Sequence, residues 1–154
     1  MTAPTPPAPT PDFPEYDPKT AAGLQGSADA AGGIAKFLQI EHVEVGPGLL
    51  HARVPVRDEL LTPFRNLHGG VLAALCDHVL GTVLYPVIPR GAWAATTEFK
   101  INYLAAVTTG ALDARATIIS LTKRTAVVRI DVENEGRLVC AAQGTVLVVA
   151  PKPR

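Results

Sequence analysis

The sequence predicts an α+β domain in which an antiparallel sheet of about five to six strands wraps around one central buried helix. Three observations lead to this prediction. A hairpin pattern comes first, one strongly apolar helix follows, and alternating strand patterns fill the C-terminal half. Such a sheet and such a helix both need burial, and wrapping one around the other buries both.

The composition fits a single globular domain. The chain has 154 residues, 47% of them hydrophobic, with 14 basic and 14 acidic side chains. A net charge of zero without a Lys/Arg cluster argues against a nucleic-acid-binding surface. The two cysteines, Cys76 and Cys140, are too few for a disulfide scaffold, so the cytoplasm is the expected location.

The N-terminal segment differs from the rest, because seven of the 14 prolines precede residue 20. Proline lacks a backbone donor and restricts φ, which disfavours a helix or a central strand. The segment also lacks the basic start and apolar run of a secretory signal. We therefore predict a disordered proline-rich arm over 1–20, a domain over 21–150 and a short tail over 151–154.

The domain begins with a short helix pattern over 28–38, which two internal glycines weaken. Residues 40–45 and 49–56 then alternate between apolar and polar, and the turn Gly46-Pro47-Gly48 joins them. Alternation on both sides of such a turn predicts a β-hairpin.

The predicted central helix covers residues 71–85, which are apolar on nearly every face and end at Pro86. About fifteen residues separate Gly70 from Pro86, and Asp77 and His78 lie at mid-length. The segment is thus too short and too polar for a transmembrane span, and no membrane association is expected.

Strand patterns follow at 94–104, 111–121, 124–132 and 137–149. Three of these long strands predict an antiparallel meander, and the connections before residues 111 and 137 contain glycine. One face and one edge of the resulting sheet remain uncovered, which favours a homodimer.

The segment Asn66-Leu67-His68-Gly69-Gly70 leads directly into the central helix. Glycines allow a ligand to approach the backbone closely, and the N–H groups of the first helical turn have no partner within the helix. Pointed at a carbonyl oxygen, these groups form an oxyanion hole that the helix dipole reinforces. The alternative is that Gly69 and Gly70 only permit a tight entry into the helix.

Asp77 is the second candidate. A carboxylate in a buried apolar helix costs several kcal/mol unless it is paired or functional, and no basic residue lies at helical spacing from Asp77. It either takes part in chemistry or bonds backbone or water at a dimer interface.

Gly69 and Asp77 are eight residues apart, about 12 Å along one helix. Since a general base must lie within about 3 Å of its proton, a shared reaction would need the two groups from different subunits.

The neighbouring residues favour structural roles. His78 points about 100° away from Asp77 and is expected to be a packed or interface histidine. His68 is expected to hold its loop through a hydrogen bond, since the further ligands of a metal site are not evident. Cys76 lacks an electropositive setting and is expected to pack in the core.

These segments resemble the hotdog-fold acyl-CoA thioesterases of the PaaI-like branch over about residues 33–149. The motif His68-Gly69-Gly70 seven residues before an acid is the most specific likeness, and Leu75-Cys76-Asp77, residues 96–104 and residues 137–141 support it. The resemblance implies a sheet wrapped around a helix, a homodimer or a dimer of dimers, and a site shared between subunits.

The resemblance also implies roles for individual residues. Asp77 matches the general base or nucleophile, and the Gly69 N–H matches the group that polarises the thioester carbonyl, with Gly70 beside it against the substrate. Thr96 lies where relatives place a hydroxyl that orients water. Relatives commonly have Asn or Gln six residues before the histidine, where this chain has Thr62; either Thr62 or Asn66 would replace it.

Coenzyme A would enter as part of the substrate, so no cofactor and no metal are expected. Its phosphates need basic partners, for which Arg90, Lys123 and Arg124 are candidates. The alternative is that these three are ordinary solvated loop charges.

The predicted function is hydrolysis of an acyl-CoA thioester to a free acid and coenzyme A. Two alternatives stay open: a hotdog enoyl-CoA hydratase or dehydratase, and a non-catalytic acyl-CoA-binding domain, which the unusual Thr62 favours. An acyl tunnel would be lined by apolar residues of the helix and the following strand, namely Leu72, Leu80, Leu84, Phe99 and Tyr103.

Overall fold

A computed structural model describes residues 11–28 and 32–151. The helices are α1 (Pro18–Leu24), α2 (Gly33–Leu38) and α3 (Gly69–Thr82). The strands are β1 (Gly26–Ser27), β2 (Glu41–Gly46), β3 (Leu49–Pro55), β4 (Trp93–Tyr103), β5 (Ala111–Leu121), β6 (Thr125–Asn134) and β7 (Arg137–Val149). Short 3₁₀ turns cover Asp58–Leu60 and Tyr85–Val87.

All strands join one antiparallel sheet in the order β1-β2-β3-β5-β6-β7-β4. Six strands have six or more residues and β1 has two, so the predicted sheet of five to six strands around one helix is confirmed. The hairpin β2–β3 and the meander β5–β6–β7 follow the alternating patterns. β4 instead crosses to the far side of the meander and pairs with β7, which makes it one edge of the sheet.

The central helix α3 packs against β3, β4, β5, β6 and β7. Its inward side chains are at most 4% exposed; they are Leu72, Leu75, Cys76, Val79 and Leu80. The segment Gly69–Val87 has the length and composition of a membrane span, but in this fold it contains the helix around which the sheet wraps.

The predicted end of the proline-rich arm at residue 20 is wrong. The helix α1 begins at Pro18, and the Asp17 carboxylate caps it by accepting hydrogen bonds from the Lys19 N–H (2.9 Å) and the Thr20 hydroxyl (2.7 Å). Proline is well suited to a first helical turn, where its missing N–H would have no intrahelical partner. The Phe13 ring also lies directly on Gly48, a turn residue with φ of +68°.

The folded domain therefore already includes residue 13. The short helix α2 starts at Gly33, five residues later than its predicted start. Residues 29–31, like the first ten residues of the arm and residues 152–154 of the tail, lie outside the described residues.

Candidate active site

The loop before α3 is held by its own backbone. The Thr62 N–H donates to the Asn66 carbonyl (2.7 Å), and the Arg65 N–H donates to the Thr62 carbonyl (2.8 Å). Arg65 has φ of +68°, and its guanidinium contacts the Asp58 carboxylate at 3.0 Å. This compact loop fixes where the chain enters the helix.

His68 is the N-cap of α3. Its Nδ1 accepts a hydrogen bond from the Gly70 N–H at 2.8 Å, and its own N–H donates to the Leu60 carbonyl at 2.9 Å. His68 thus has the loop-holding role that the sequence suggests. The Gly70 N–H is thus already engaged. The N–H of Gly69, the first residue of α3, has no acceptor among the described residues.

A cavity of about 370 Å³ opens at this end of α3. Asn66, Gly69 and Leu72 line it from one side, and the end of β4 with the following segment lines it from the other. The Tyr103 ring lies next to Gly69, so that a Cβ added at Gly69 would be 3.2 Å from the ring. The backbone at Gly69 therefore borders a space in which a small acyl group fits.

The segment 104–107 also lines this cavity and was not foreseen from the sequence. The Leu67 N–H donates to the Val107 carbonyl at 2.7 Å, which ties the segment to the loop before α3. It has no regular secondary structure, so no periodicity marks it. Of the tunnel residues expected from the sequence, Leu72 and Tyr103 line this cavity.

Asp77 is exposed in the single chain, which corrects the expectation of a buried acid. It lies on a side of α3 that the sheet leaves open, together with small residues that are exposed or half-buried: Gly70, Ala73, Ala74 and Gly81. Alanine and glycine made this side look apolar in the sequence, although they tolerate both core and surface positions. The cost of burying the charge therefore gives no argument for function here.

Asp77 does not line the cavity at Gly69. The two residues lie on the same helix, eight residues and about 12 Å apart. One chain therefore does not bring the candidate carboxylate to the candidate oxyanion donor.

Thr62 has a buried hydroxyl oxygen that makes no hydrogen bond with any described residue. Thr62 does not line the cavity in the single chain, whereas Asn66 does. Thr96 lies exposed on β4, next to a bulge in its pairing with β7 between Thr96 and Glu98. The loop residue Asn66 is thus the one of these three candidates that shares the cavity with Gly69.

His78 is packed, as expected. Its Nε2 lies 2.9 Å from Nε2 of His42, whose Nδ1 donates to the Leu24 carbonyl at 2.7 Å. With Nδ1 of His42 as the donor to Leu24, its Nε2 accepts a hydrogen bond from the Nε2–H of His78. Burial, followed by the nearby His42, lowers the pKa of His78 to about 4, while the charge of Asp77 acts in the opposite direction.

Cys76 is a core residue, with its Sγ 4.0 Å from that of Cys140. The Cys140 thiol, together with burial, raises the pKa of the Cys76 thiol. A thiol with a raised pKa is a poor nucleophile. Among the described residues, no group of three His, Cys, Asp or Glu side chains could hold a metal ion.

The three candidate cations lie away from the Gly69 cavity within one chain. Arg90 follows the C-terminal end of α3, and Lys123 and Arg124 form the β5–β6 turn. All three are exposed, and Lys123 borders a different cavity together with Val87.

Comparisons with known proteins agree with this architecture. The model of the thioesterase superfamily matches residues 64–141. A Haemophilus influenzae protein described as an esterase is 31% identical over 113 residues, which are 73% of this chain and 82% of that protein. A 1,4-dihydroxy-2-naphthoyl-CoA hydrolase of Listeria monocytogenes is 29% identical over 75% of this chain and 95% of its own. The crystal structure of a thioesterase from Haemophilus influenzae superposes with a TM-score of 0.76 at 28% identity, covering 81% of this chain and 88% of that one.

Proposed function

Because the chain belongs to the thioesterase superfamily and has the hotdog fold, we propose that it hydrolyses an acyl-CoA thioester to a free acid and coenzyme A. The observation that carries this proposal is the N–H of Gly69 at the start of α3, which has no acceptor in the described part of the chain and lies beside a cavity of about 370 Å³. A carbonyl oxygen that accepts from this N–H would be polarised by the bond and by the positive end of the helix dipole.

The attacking group is Asp77 of a second subunit, acting as general base on water or as nucleophile. Asp77 is exposed and lies on a face of α3 made of small residues, so a second chain can approach it closely. Because one helix separates Gly69 and Asp77 by about 12 Å, only a partner chain can supply the acid to the same carbonyl.

The dimer on which this site depends is supported by the uncovered surface of the chain. β4 is an eleven-residue edge strand that carries two largely exposed aromatic residues, Trp93 (52%) and Tyr103 (54%). Phe64 is 85% exposed at the tip of the compact loop before α3. Long edges and exposed aromatic groups of this kind favour association. We propose a homodimer or a dimer of dimers.

The remaining polar candidates would assist. Asn66 lines the cavity and can bond the carbonyl or the water. The hydroxyl of Thr62, which has no partner among residues 11–28 and 32–151, can take the same role once a second chain is present. Thr96 can orient water from β4. His68 is a positioning residue, because it engages the Gly70 N–H and leaves that of Gly69 for the substrate.

The acyl-CoA substrate is supported by the similarity to the Listeria hydrolase, whose substrate is a coenzyme A thioester. Lys123 shares a cavity rim with Asp12 and Glu15, so we propose Arg124 and Arg90 as the stronger phosphate contacts. A cytoplasmic location, with no cofactor beyond the coenzyme A of the substrate, completes the proposal.

The test is thiol release from a panel of short, medium, long and aryl acyl-CoA esters. We expect turnover of at least one ester and a loss of about a thousandfold or more in Asp77→Ala, as for the removal of a catalytic base with its water. Glu44→Ala is the matched control, because Glu44 is also exposed but lies on β2. Near-normal turnover in Asp77→Ala, enoyl-CoA hydration in place of thiol release, or tight acyl-CoA binding without thiol release would each contradict the proposal.

A further inference from the structure

A second and larger cavity, of about 710 Å³, lies beyond the other end of α3. Its inner wall is apolar and consists of Val87 and Ile88 from the segment after the helix, Leu121 from β5 and Val148 from β7. Val87 and Ile88 are at most 7% exposed, and Leu121 and Val148 pack against the core. Its volume lies in the range of about 300–1,000 Å³ that is typical of small-molecule sites.

The outer wall is part of the proline-rich segment that the sequence places in a disordered arm. Pro14 borders the cavity, and the chain is held on both sides of it. On one side the Phe13 ring lies on Gly48, and on the other the Asp17 N–H donates to the Pro86 carbonyl at 2.7 Å. The segment thus spans the cavity between two fixed points.

The third wall is the β5–β6 turn, which is also rigid. The Thr122 hydroxyl accepts from the N–H groups of Arg124 (3.2 Å) and Thr125 (3.0 Å), and the Thr122 N–H donates to the Thr125 carbonyl (2.8 Å). The Val148 N–H in turn donates to the Arg124 carbonyl at 2.9 Å. Because three independently fixed elements border this open-sided space, a ligand would meet a preformed site.

The charged groups at the rim are Asp12, Glu15 and Lys123. Two carboxylates against one ammonium leave an excess negative charge, which disfavours a carboxylate, a phosphate or a polyphosphate. The carboxylates can instead accept hydrogen bonds from a hydroxyl or amine at the end of an apolar ligand. The inner wall offers such a ligand an apolar surface.

We infer that this cavity is a second binding site, which takes an uncharged apolar molecule with a hydrogen-bond donor at its outer end. The site uses neither Gly69 nor Asp77, which lie elsewhere on α3. Lys123 and the turn that holds Arg124 border it, but the inference rests on the apolar wall and the rim carboxylates, and it does not need Arg124 or Arg90 to bind phosphate.

The test uses two probes that share one aromatic skeleton. N-phenyl-1-naphthylamine is uncharged and carries an N–H donor, and its 8-sulfonate carries a negative charge. Fluorescence titration of the full-length wild-type chain should show saturable binding of the uncharged probe at one molecule per chain, and binding of the sulfonate at least about tenfold weaker. Equal affinity for both probes would overturn the assignment of ligand class.

Two variants locate the bound probe. Val148→Trp fills the cavity from β7 and should weaken binding at least about tenfold. Leu147→Trp is the control, because Leu147 is the adjacent residue on the same strand, is 41% exposed and does not line the cavity. Leu121→Trp provides a second filling variant should Val148→Trp unfold. Unchanged binding in a folded filling variant would refute the site.

A crystal structure of the wild-type chain with the uncharged probe does not depend on any variant. Density between Val87 and Leu121 supports the inference, and density only at Gly69 contradicts it. The titration is also repeated with Asp77→Ala, where affinity should stay within about twofold. Probe binding is measured by fluorescence and does not require turnover. A failed thiol-release assay would therefore contradict the proposed function only, and a failed probe titration would contradict the cavity assignment only.

Discussion

The Nδ1 atom of His68 lies 2.8 Å from the backbone nitrogen of Gly70 and accepts its hydrogen bond. This contact engages the second N–H of α3, whereas the first, that of Gly69, has no acceptor among the described residues, and Gly69 lines the cavity beside Tyr103. The histidine that the sequence predicts to hold the loop therefore caps the helix, and among the described residues it engages the Gly70 N–H and not that of Gly69.

Gly69→Pro should remove this donor without removing the helix. Gly69 is the first residue of α3, where proline is well tolerated, and His68 before it has φ of −67° and ψ of 132°, as residues before proline prefer. We expect kcat to fall by about 10²–10³, the usual effect of losing one oxyanion donor. Gly69→Ala adds a Cβ but keeps the N–H, so its kcat should fall less than that of Gly69→Pro. Equal losses in the two variants would point to crowding against Tyr103 instead.

Mixing two inactive variants should restore activity if the site is shared between subunits. When Gly69→Pro and Asp77→Ala chains are unfolded and refolded together, about half of the dimers are mixed, and each mixed dimer has one intact site. We therefore expect about a quarter of the wild-type activity. A site contained within one chain would give none, because every chain carries one defect.

Thr62→Val should change stability and activity in opposite directions. The Thr62 hydroxyl oxygen is buried and, within the described part of the chain, unpaired, and such a group costs about 1–3 kcal/mol. Its removal should raise the free energy of unfolding by about 1 kcal/mol in urea titrations, while kcat falls if the hydroxyl serves the reaction. A loss of stability would mean that the hydroxyl has a partner in the assembled protein.

Gly144→Ala should be strongly destabilising. A Cβ at Gly144 would lie 2.6 Å from the Glu98 carbonyl oxygen, beside the bulge in β4, and 2.8 Å from Leu80 in α3. We expect a loss of about 2 kcal/mol or more, because the backbone itself must move. Gly23→Ala is the control: nothing lies within 4 Å of a Cβ there, and it should be neutral or stabilising. A thermal midpoint of Gly144→Ala equal to that of wild type would contradict this packing.

The His42–His78 pair should make the fold sensitive to acid. The pKa of His78 is about 4 in the folded chain, against 6.5 for the free side chain, so the unfolded chain binds a proton between these pH values that the folded chain does not. The free energy of unfolding should therefore fall as the pH is lowered from about 6.5 to about 4. His78→Gln removes this group, and its stability should depend less on pH in that window. Parallel pH curves for the two proteins would show that His78 does not titrate as described.

The sequence predicts the local elements because their patterns are local. Alternation identifies the hairpin and the meander, the apolar run before Pro86 identifies α3, and the two glycines after His68 mark its start. The exposure of Asp77 could not be predicted in this way, since alanine and glycine beside it fit either a core or a surface. The prolines were equally ambiguous: they exclude a long regular element, but they do not exclude the ordered wall held by Phe13 and Asp17.

By itself, the sequence determined the fold class, the position of the central helix and the motif that leads into it, because these depend on neighbours along the chain. Only the tertiary structure decided that β4 crosses to the edge beside β7, that Tyr103 and the segment 104–107 close the cavity at Gly69, and that Asp77 faces outward. Each of these depends on contacts between residues distant in sequence, where packing and backbone hydrogen bonding select one arrangement among several that the local pattern allows.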